Sequence, residues 1–332
     1  MFREIPAQVI GPPAPLRLTR YARGGGGAGR LPPAVLDRLA GPAAETHGDA
    51  AVLLPPAGRP GEHAVVSAAA FCAPVVDDPY DWGRIAAADA FSPVYAAGGR
   101  PVMALNLLTW PHAALGDDLA REVLRGGRDG AAAAGCVIAG GHGADGTEPT
   151  YGLAVTGVAD PGRMLRPEAG VPGVPLSLTK PLGLGVLNAR HRATGEAFPA
   201  AVAAMTRLNA AASGLALAGG VACAGAVGGT GLLGQLYRIA RASGVTAVVE
   251  AAAVPYLDGA RASARDGFVP PGTHHNLAWV ADRTDFGRIA EDERLLLADA
   301  QTSGGLLLAG EIPGAPVIGE LVPRGEALLV VR

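Results

Sequence analysis

The sequence predicts a mixed α/β or α+β fold built from two domains. Segments with the composition of strands and segments with the periodicity of helices are interspersed in both halves of the chain. The chain has 332 residues, a length that suggests two domains or one large one. Hydrophobic residues make up 49% of the chain and charged residues 17%, so the protein can bury a sizeable core.

The first half starts with an arm and continues with helices and strands. Residues 1–31 are rich in Gly, Pro and Arg and predict a flexible, extended arm. The prolines of PPAVLDRLA predict a helix start, because proline is favoured in the first helical turn. The segments that follow are HAVVSAAAF as a strand, WGRIAAADAF as a helix, PHAALGDDLAREVLRGGRDGAAAAG as an amphipathic helix with Leu115, Leu119 and Val123 on one face, and CVIAGG and YGLAVTGVA as strands.

A change of pattern near residue 160 predicts the domain boundary. The stretch DPGRMLRPEAGVPGVP is rich in turn-forming residues. We therefore expect one domain over residues 32–160 and a second over residues 161–332. The second is predicted to contain the strand and turn LSLTKPLG, the helices PAAVAAMTRLNAAASGLALAG and TGLLGQLYRIARASG, the strand VTAVVEAAAV, and late strands in GLLLAG, VIGELV and ALLVV.

Composition excludes several classes of function. The net charge is −3 and no basic block is present, which does not indicate a nucleic-acid surface. No apolar stretch reaches the roughly 18 residues of a membrane span, and MFREIPAQVIGPPAP lacks a signal-peptide pattern, so a cytoplasmic protein is expected. Cys72, Cys136 and Cys223 are widely spaced in apolar contexts, which predicts buried thiols rather than disulfides or a zinc site.

Long motifs in a fixed order connect the chain to a known family. They are LTRYARGGGGAGR, GDAAV, PVVDDPYDWGRIAAADAFSPVYAAGGRPVMAL, GGHGADGTEPTYGLAVTG, LTKPLGLGVL, GTGLLGQL, QTSGGLL and IGELVPRG. Over nearly its whole length the chain resembles the selenophosphate synthetases (selenide, water dikinases), which belong to the aminoimidazole ribonucleotide synthetase-like superfamily of ATP enzymes.

The resemblance implies a specific fold and reaction. It implies two α/β domains and a homodimer, with ATP near the interface and its phosphates held through magnesium by aspartates. A mobile glycine-rich loop carries a cysteine or selenocysteine and a lysine. The family reaction converts ATP, selenide and water into selenophosphate, AMP and phosphate.

The glycine-rich loop of this sequence lacks the family's reactive side chains. The nucleophile position falls on Gly27 and the lysine position falls on Arg30. Glycine cannot carry a selenium or sulfur intermediate. Backbone amides of such a loop can still bind phosphate, and Arg30 still offers a cation with a forked geometry.

The resemblance also implies four aspartate ligands for magnesium, of which this sequence keeps Asp49. The other three positions fall on Ala70, Pro93 and Ala226. Phosphate charges would then face one another without a counterion, since magnesium requires hard oxygen ligands. Normal ATP cleavage is therefore predicted to be lost or altered.

The same motifs supply candidate nucleotide contacts. By resemblance they are Arg30, Thr46, His47, Gly48, Gly141, His142 and Gly143. ATP and magnesium are the cofactors that the resemblance implies.

Several acidic residues have two interpretations. Asp77, Asp78 and Asp81 could replace the metal ligands, but capping of the following helix is favoured. Asp89 lies one helical turn before a replaced position and could reach the phosphates, but an exposed helix aspartate is favoured. Asp145 is a second candidate substitute ligand.

Histidines and a late glycine turn are assigned structural roles. His142 could be a buried core histidine instead of a nucleotide contact. For His274 and His275, an exposed pair on a loop is favoured over metal binding. Gln301–Gly305 predicts a tight turn near the site.

Pro93 also affects the predicted backbone of the helix that contains it. Proline removes a backbone hydrogen bond within a helix, so a kink or a helix restart is predicted near Ser92.

Three functions remain open at this level. The first is a family member whose parent activity is lost or altered, with a dimeric fold and a weakened nucleotide or anion site. The second is an active selenide, water dikinase with substitute ligands. The third is a non-enzymatic scaffold or regulatory partner, forming a heterodimer with an intact homologue.

Overall fold

The computed structural model describes residues 16–22, 24–40, 50–55 and 62–332. Residues 1–15 of the predicted arm lie outside the described residues. So do Thr46, His47, Gly48 and Asp49, whose predicted roles therefore stay predictions.

Five strands form a first sheet. They are β1 (Ala51–Leu53), β2 (Ala64–Cys72), β3 (Arg100–Trp110), β4 (Val137–Asp145) and β5 (Thr150–Ala159). Their order is β1-β2-β5-β3-β4, in which only the edge pair β3 and β4 is parallel.

Seven strands form a second sheet. They are β6 (Pro175–Leu178), β7 (Cys223–Ala226), β8 (Thr246–Val249), β9 (Thr284–Asp285), β10 (Leu306–Ala309), β11 (Val317–Val322) and β12 (Leu329–Val331). Their order is β7-β10-β6-β11-β8-β12-β9. The predicted mixed α/β class is confirmed, and the predicted boundary near residue 160 lies between the two sheets.

The described residues also form helices around the sheets. They are α1 (Pro33–Ala40), α2 (Pro79–Ala96), α3 (Asp117–Ala133), α4 (Leu184–Thr194), α5 (Pro199–Thr206), α6 (Ala210–Ala218), α7 (Gly231–Ser243), α8 (Ala260–Arg265), α9 (Pro271–Val280) and α10 (Glu291–Leu297). Leu115 lies before α3 rather than within it, where its carbonyl accepts a hydrogen bond from the Trp110 indole at 3.1 Å.

Helix α2 runs through Pro93 without a break, so the predicted restart near Ser92 is wrong. The helix is almost entirely buried, and tertiary packing stabilises it despite the missing N–H. The Ser92 hydroxyl donates to the carbonyl of Ala88 at 2.9 Å, and the amide of Ala97 donates to the carbonyl of Pro93.

The single helix predicted over residues 199–219 is also wrong, because α5 and α6 are separate. Long-range polar contacts hold the break open. The carbonyl of Arg207 accepts from Lys180 Nζ at 2.6 Å. The Asn209 side chain donates to Ser92 Oγ at 3.1 Å and to the carbonyl of Gly304 at 2.9 Å.

Among the described residues, no single helix combines the length and apolar character needed to cross a bilayer. The bent pair α5 and α6, which meet at 55°, reaches that length and composition only when taken together.

Helices α2 and α3 cover one face of the first sheet and approach each other at glycines. A Cβ placed on Gly83 would lie 2.1 Å from the carbonyl oxygen of Val123, and one on Gly126 would lie 2.0 Å from that of Tyr80. The backbones of the two helices are therefore in direct contact.

The core of the first sheet extends into the second half of the chain. Trp82 and Phe91 of α2 belong to the same buried cluster as Leu184, Met205 and Ala260, which lie on α4, α5 and α8. All three cysteines are free and buried, as the sequence predicts.

Substituting Gly126→Ala should destabilise the fold by about 1–3 kcal/mol, because its Cβ would overlap backbone atoms that cannot move independently. Chemical denaturation measures the change. Gly214→Ala is the matched control, because Gly214 is exposed on α6 and a Cβ there meets nothing within 4 Å. This substitution should stabilise the folded state by about 0.5–1 kcal/mol, since alanine is favoured over glycine within a helix. Equal effects of the two substitutions would contradict the packing described for α2 and α3.

Candidate functional site

A cavity of ≈ 760 Å³ lies between the two halves of the chain. Pro93 and Ala97 of α2 line it together with Val52 of β1 and Ala226 of β7. Pro93 and Ala226, two of the positions at which the resemblance implies metal-binding aspartates, thus face one space. The third position, Ala70, is not among the lining residues; it pairs with Leu153 and packs against the core.

The other wall of the cavity carries cationic and aromatic side chains from the second half. The Tyr237 and Trp279 rings meet edge to face with centroids 4.9 Å apart. The guanidinium carbon of Arg238 lies 6.0 Å from the Trp279 ring centroid. The indole N–H of Trp279 donates to the carboxylate of Asp37 at 2.9 Å. Arg166, Glu168 and Arg241 also line the space.

The glycine-rich loop is docked against the second half. Residues Gly26–Gly29 form a 3₁₀ turn in which Gly26 and Gly27 are buried. The amide of Gly27 donates to Thr302 Oγ1 at 2.8 Å. A Cβ on Gly27 would lie 2.2 Å from the carbonyl oxygen of Gln301 and 2.9 Å from Gly229 Cα. In this position the loop has no space for the family's nucleophilic side chain.

Arg30 is exposed and follows this turn, with its amide donating to the carbonyl of Gly27 at 3.3 Å. Its side chain approaches Gly229, where a Cβ would lie 2.5 Å from Arg30 Cδ. It lines a small neighbouring pocket with His275 and Asn276, and is not among the residues lining the large cavity.

The glycine-rich loop contacts a strained turn at Thr302 and Ser303, and the buried Lys180 forms a hydrogen bond to that turn. Ser303 has a φ of 50°, which is unusual for a residue other than glycine. Its amide donates to Asp89 Oδ1 at 2.7 Å, and its carbonyl accepts from Lys180 Nζ at 2.8 Å. Burial, followed by the nearby charge of Arg207, lowers the pKa of Lys180 to about 7, while Asp89 opposes the shift.

The expectation that Asp89 is an exposed helix aspartate is therefore wrong. Asp89 is partly buried and its carboxylate binds a backbone amide that lies 214 residues away in the sequence. Geometry gives it a structural role in joining α2 to the turn.

Asp77 has a different role from the one predicted. Asp78 caps α2 by accepting from the amide of Asp81 at 2.8 Å, as expected. Asp77 instead accepts from Arg17 Nε at 2.7 Å and from the amide and hydroxyl of Thr19 at 2.9 and 2.6 Å. Burial raises the pKa of Asp77, but these hydrogen bonds outweigh it and leave the pKa below its usual value. Asp77 thus fixes the position of the segment that contains Arg17 and Thr19.

The predicted nucleotide contacts on β4 lie away from the cavity. Gly141, His142 and Gly143 are exposed on this edge strand, and none is among the lining residues. The alternative of a buried His142 is thereby wrong. Asp145 is exposed too, with its Oδ1 2.9 Å from His112 Nδ1.

His274 and His275 are exposed as predicted, but they lie on α9 and not on a loop. The backbone of α9 begins against the glycine-rich loop, since a Cβ on Gly272 would lie 2.7 Å from the carbonyl oxygen of Ala28.

The donor set does not fit magnesium in the part of the chain that the structure describes. No cluster of three or more His, Cys, Asp or Glu side chains that could hold a metal ion occurs there. Asp49, which the resemblance implies as a retained metal ligand, lies outside the described residues.

Sequence reasoning missed Lys180 and the cavity's arginines. A signal for Lys180 was present, because it is the only lysine in a sequence whose other long basic side chains are all arginine. No local signal identified Arg238, Arg241 and Trp279, since their convergence on one cavity depends on how α7 and α9 pack.

Comparison with known proteins identifies the family. Residues 47–159 match AIR synthase related protein, N-terminal domain, and residues 171–331 match AIR synthase related protein, C-terminal domain. A selenide, water dikinase of Bordetella bronchiseptica is 40% identical over 333 residues, covering 95% of each chain. The chain belongs to the selenide, water dikinase family. The family's enzyme from Escherichia coli strain K12 is 37% identical over 348 residues, covering 96% of this chain and 99% of that one.

Solved structures show that this dikinase-family chain has the two-domain fold of the superfamily. Thiamine monophosphate kinase (ThiL) from Aquifex aeolicus aligns with a TM-score of 0.64 at 14% identity, covering 90% of this chain and 94% of that chain. Hydrogenase maturation protein HypE in complex with ATP aligns with a TM-score of 0.61 at 18% identity, covering 94% and 91%. At these identities the likeness concerns the fold alone.

Substituting Gly27→Cys, which introduces the thiol that the resemblance implies at this position, should displace the loop because the new Cβ would overlap the backbone of Gln301. Hydrogen exchange read by mass spectrometry should show at least about tenfold faster exchange across residues 26–30, since the Gly27 amide loses its Thr302 acceptor.

Gly24→Cys is the matched control, because a Cβ there lies 3.5 Å from Gly29 Cα, an ordinary contact. It should leave exchange unchanged. Unchanged exchange in Gly27→Cys would show that the loop accommodates a side chain after all.

Proposed function

We propose that this chain is a selenide, water dikinase family protein whose metal-dependent phosphoryl transfer is lost or altered. The observation that carries the proposal is the convergence of Pro93 and Ala226 on one cavity. At both positions the resemblance implies a magnesium-binding aspartate, and here both side chains are apolar.

The physical reason is charge neutralisation. Phosphoryl transfer depends on positioning and on cations that offset the phosphate oxygens. Two unit charges about 4 Å apart interact by about 4 kcal/mol at an effective dielectric constant of 20. Apolar side chains in place of both carboxylates therefore remove the main means of holding magnesium in this cavity.

The glycine-rich loop supports the same conclusion. Gly27 lacks a nucleophile, and its backbone is packed against Gln301 and bonded to Thr302. The loop thus has a structural role in packing against Gln301 and Thr302, and has no side chain for nucleophilic chemistry at position 27. Because HypE, of similar fold, has been solved with ATP bound, retention of a nucleotide or anion site is part of the proposal.

Purified protein mixed with ATP, magnesium and selenide should produce no selenide-dependent AMP or selenophosphate in ³¹P NMR spectra. The Bordetella bronchiseptica relative serves as the active control in the same buffer. Selenide-dependent turnover by this chain at a rate comparable with that control would refute the loss of activity and favour substitute ligands.

We further propose that a second copy of the chain covers the open face of the first sheet. Paired residues place Leu53 opposite Val65, and join Phe71 through Gly152 to Leu107 on the same face. Apolar side chains on this face have exposed fractions between 38% and 70%, namely Leu53, Val65, Phe71, Met103 and Leu105. Helices cover the opposite face, so this apolar area is suited to association.

Leu105→Glu should convert a dimer into a monomer in analytical ultracentrifugation, because it places a charge at the centre of the apolar face. Leu215→Glu is the matched control: Leu215 is 43% exposed against 42% for Leu105, but lies on α6. That control should stay dimeric. A wild-type chain that is monomeric alone but binds an intact homologue would replace the homodimer with the heterodimeric scaffold.

A further inference from the structure

The glycine-rich loop is hydrogen-bonded to both halves of the chain. The amide of Gly26 donates to the carbonyl of Ala73, between β2 and α2, at 3.2 Å. The amide of Gly27 donates to Thr302 Oγ1, in the second half, at 2.8 Å. The docked position of the loop therefore depends on where the Gln301–Gly305 turn holds Thr302.

This turn has a strained backbone at Ser303. The φ of Ser303 is 50°, in the left-handed region that residues other than glycine rarely adopt. Its hydroxyl oxygen is buried and has no hydrogen-bond partner among the described residues. A strained conformation persists only where surrounding contacts fix it. Two contacts act on the Ser303 backbone: its amide donates to Asp89 at 2.7 Å, and its carbonyl accepts from Lys180 Nζ at 2.8 Å.

The partners of Lys180 suit an uncharged amine. Within the described chain, Nζ donates to the carbonyls of Arg207 and Ser303 at 2.6 and 2.8 Å, and neither acceptor is a carboxylate. An uncharged amine has two N–H groups, which match these two carbonyls, whereas an ammonium group has three. Because the Lys180 side chain is buried, an ammonium group here would leave one N–H and a full charge away from water, which is costly.

The surroundings of Lys180 determine how acidification acts on the turn. Burial first, and then the charge of Arg207, lower the pKa of Lys180 to about 7, while Asp89 opposes the shift. A lysine exposed to water has a pKa of about 10.4. The docked turn thus binds the proton more weakly than an opened turn does, so docking is weakened as the pH falls toward about 7. At lower pH both states carry the proton and the effect levels off.

Two other titratable groups near the loop respond in the opposite direction. Burial raises the pKa of Asp299, two residues before Gln301, to about 6, so acidification favours its buried form. His191 Nε2 lies 3.2 Å from Asp77 Oδ2, a contact that is stronger when the imidazole carries a proton. A loss of docking on acidification is therefore the signature of Lys180.

We propose that Lys180 is a proton-controlled latch between the two halves of the chain. Its uncharged amine holds the Gln301–Gly305 turn in its strained conformation and keeps the glycine-rich loop docked, and protonation of the amine favours release of the loop. The latch acts through backbone hydrogen bonds and requires neither metal nor nucleotide. It therefore holds whether or not the proposed loss of phosphoryl transfer is correct.

The titration of Lys180 can be measured without a variant, because it is the only lysine in the sequence. Protein labelled with ¹³C at the lysine Cε gives one side-chain resonance, and its chemical shift reports the charge on Nζ. The midpoint of this titration is expected at about pH 7. A midpoint at about pH 10, the ordinary value for lysine, would overturn the proposal.

Hydrogen exchange read by mass spectrometry connects the titration to the loop. Protection factors for residues 26–30, each normalised to an unstructured peptide at the same pH, should fall at least about tenfold between about pH 8.5 and about pH 6.5. The fall should level off below the midpoint of the lysine titration. Protection that stays constant over this range, or increases as the pH falls, would overturn the coupling between Lys180 and the loop.

Variants assign the effect to one side chain. Lys180→Met keeps an unbranched chain but cannot be protonated, so it should lower protection at about pH 8.5 and abolish the pH dependence. His191→Gln is the matched control, because it removes the other titratable side chain, and it should keep the tenfold change. PH dependence in Lys180→Met, or its loss in His191→Gln, would overturn the assignment. Should Lys180→Met fail to fold, agreement between the lysine titration and loop exchange in the wild type decides.

Discussion

The arrangement of this protein depends on a buried amine that holds two carbonyl groups at once. Lys180 Nζ donates to the carbonyls of Arg207 and Ser303, in surroundings where an unsatisfied carbonyl would be costly. Burial lowers the pKa of Lys180 to about 7, so the group can shed its charge near neutral pH. Arginine has a larger head group and keeps its charge, so it does not reproduce this arrangement.

The turn held by this amine connects elements that lie far apart in the sequence. Asp89 binds the amide of Ser303 from α2, and Thr302 accepts the amide of Gly27 from the glycine-rich loop. Asn209 links the same region to Ser92 through its side chain. The glycine-rich loop, helix α2 and the turn before β10 thus meet at a few buried hydrogen bonds.

The positions at which the resemblance implies catalytic side chains also affect the packing of the loop and the lining of the cavity. Without a side chain at Gly27, the loop backbone approaches Gln301 more closely than any other residue would allow. Pro93 and Ala226 give the cavity apolar surface where the resemblance implies carboxylates, and Arg238 and Arg241 of α7 line the same space. The proposed loss of metal chemistry rests on Pro93 and Ala226.

Residue identity alone determined the family and the mixed α/β class, because long motifs and strand and helix periodicities are local properties of a sequence. The buried cysteines and the cap at Asp78 followed from the same local rules. Only the tertiary structure decided that Asp77 anchors Arg17 and Thr19, and that α5 and α6 separate where Lys180 and Asn209 form long-range bonds. It also decided which replaced positions share a cavity. These features depend on contacts between residues tens to hundreds of positions apart, whose energies outweigh the local preferences on which sequence patterns are based.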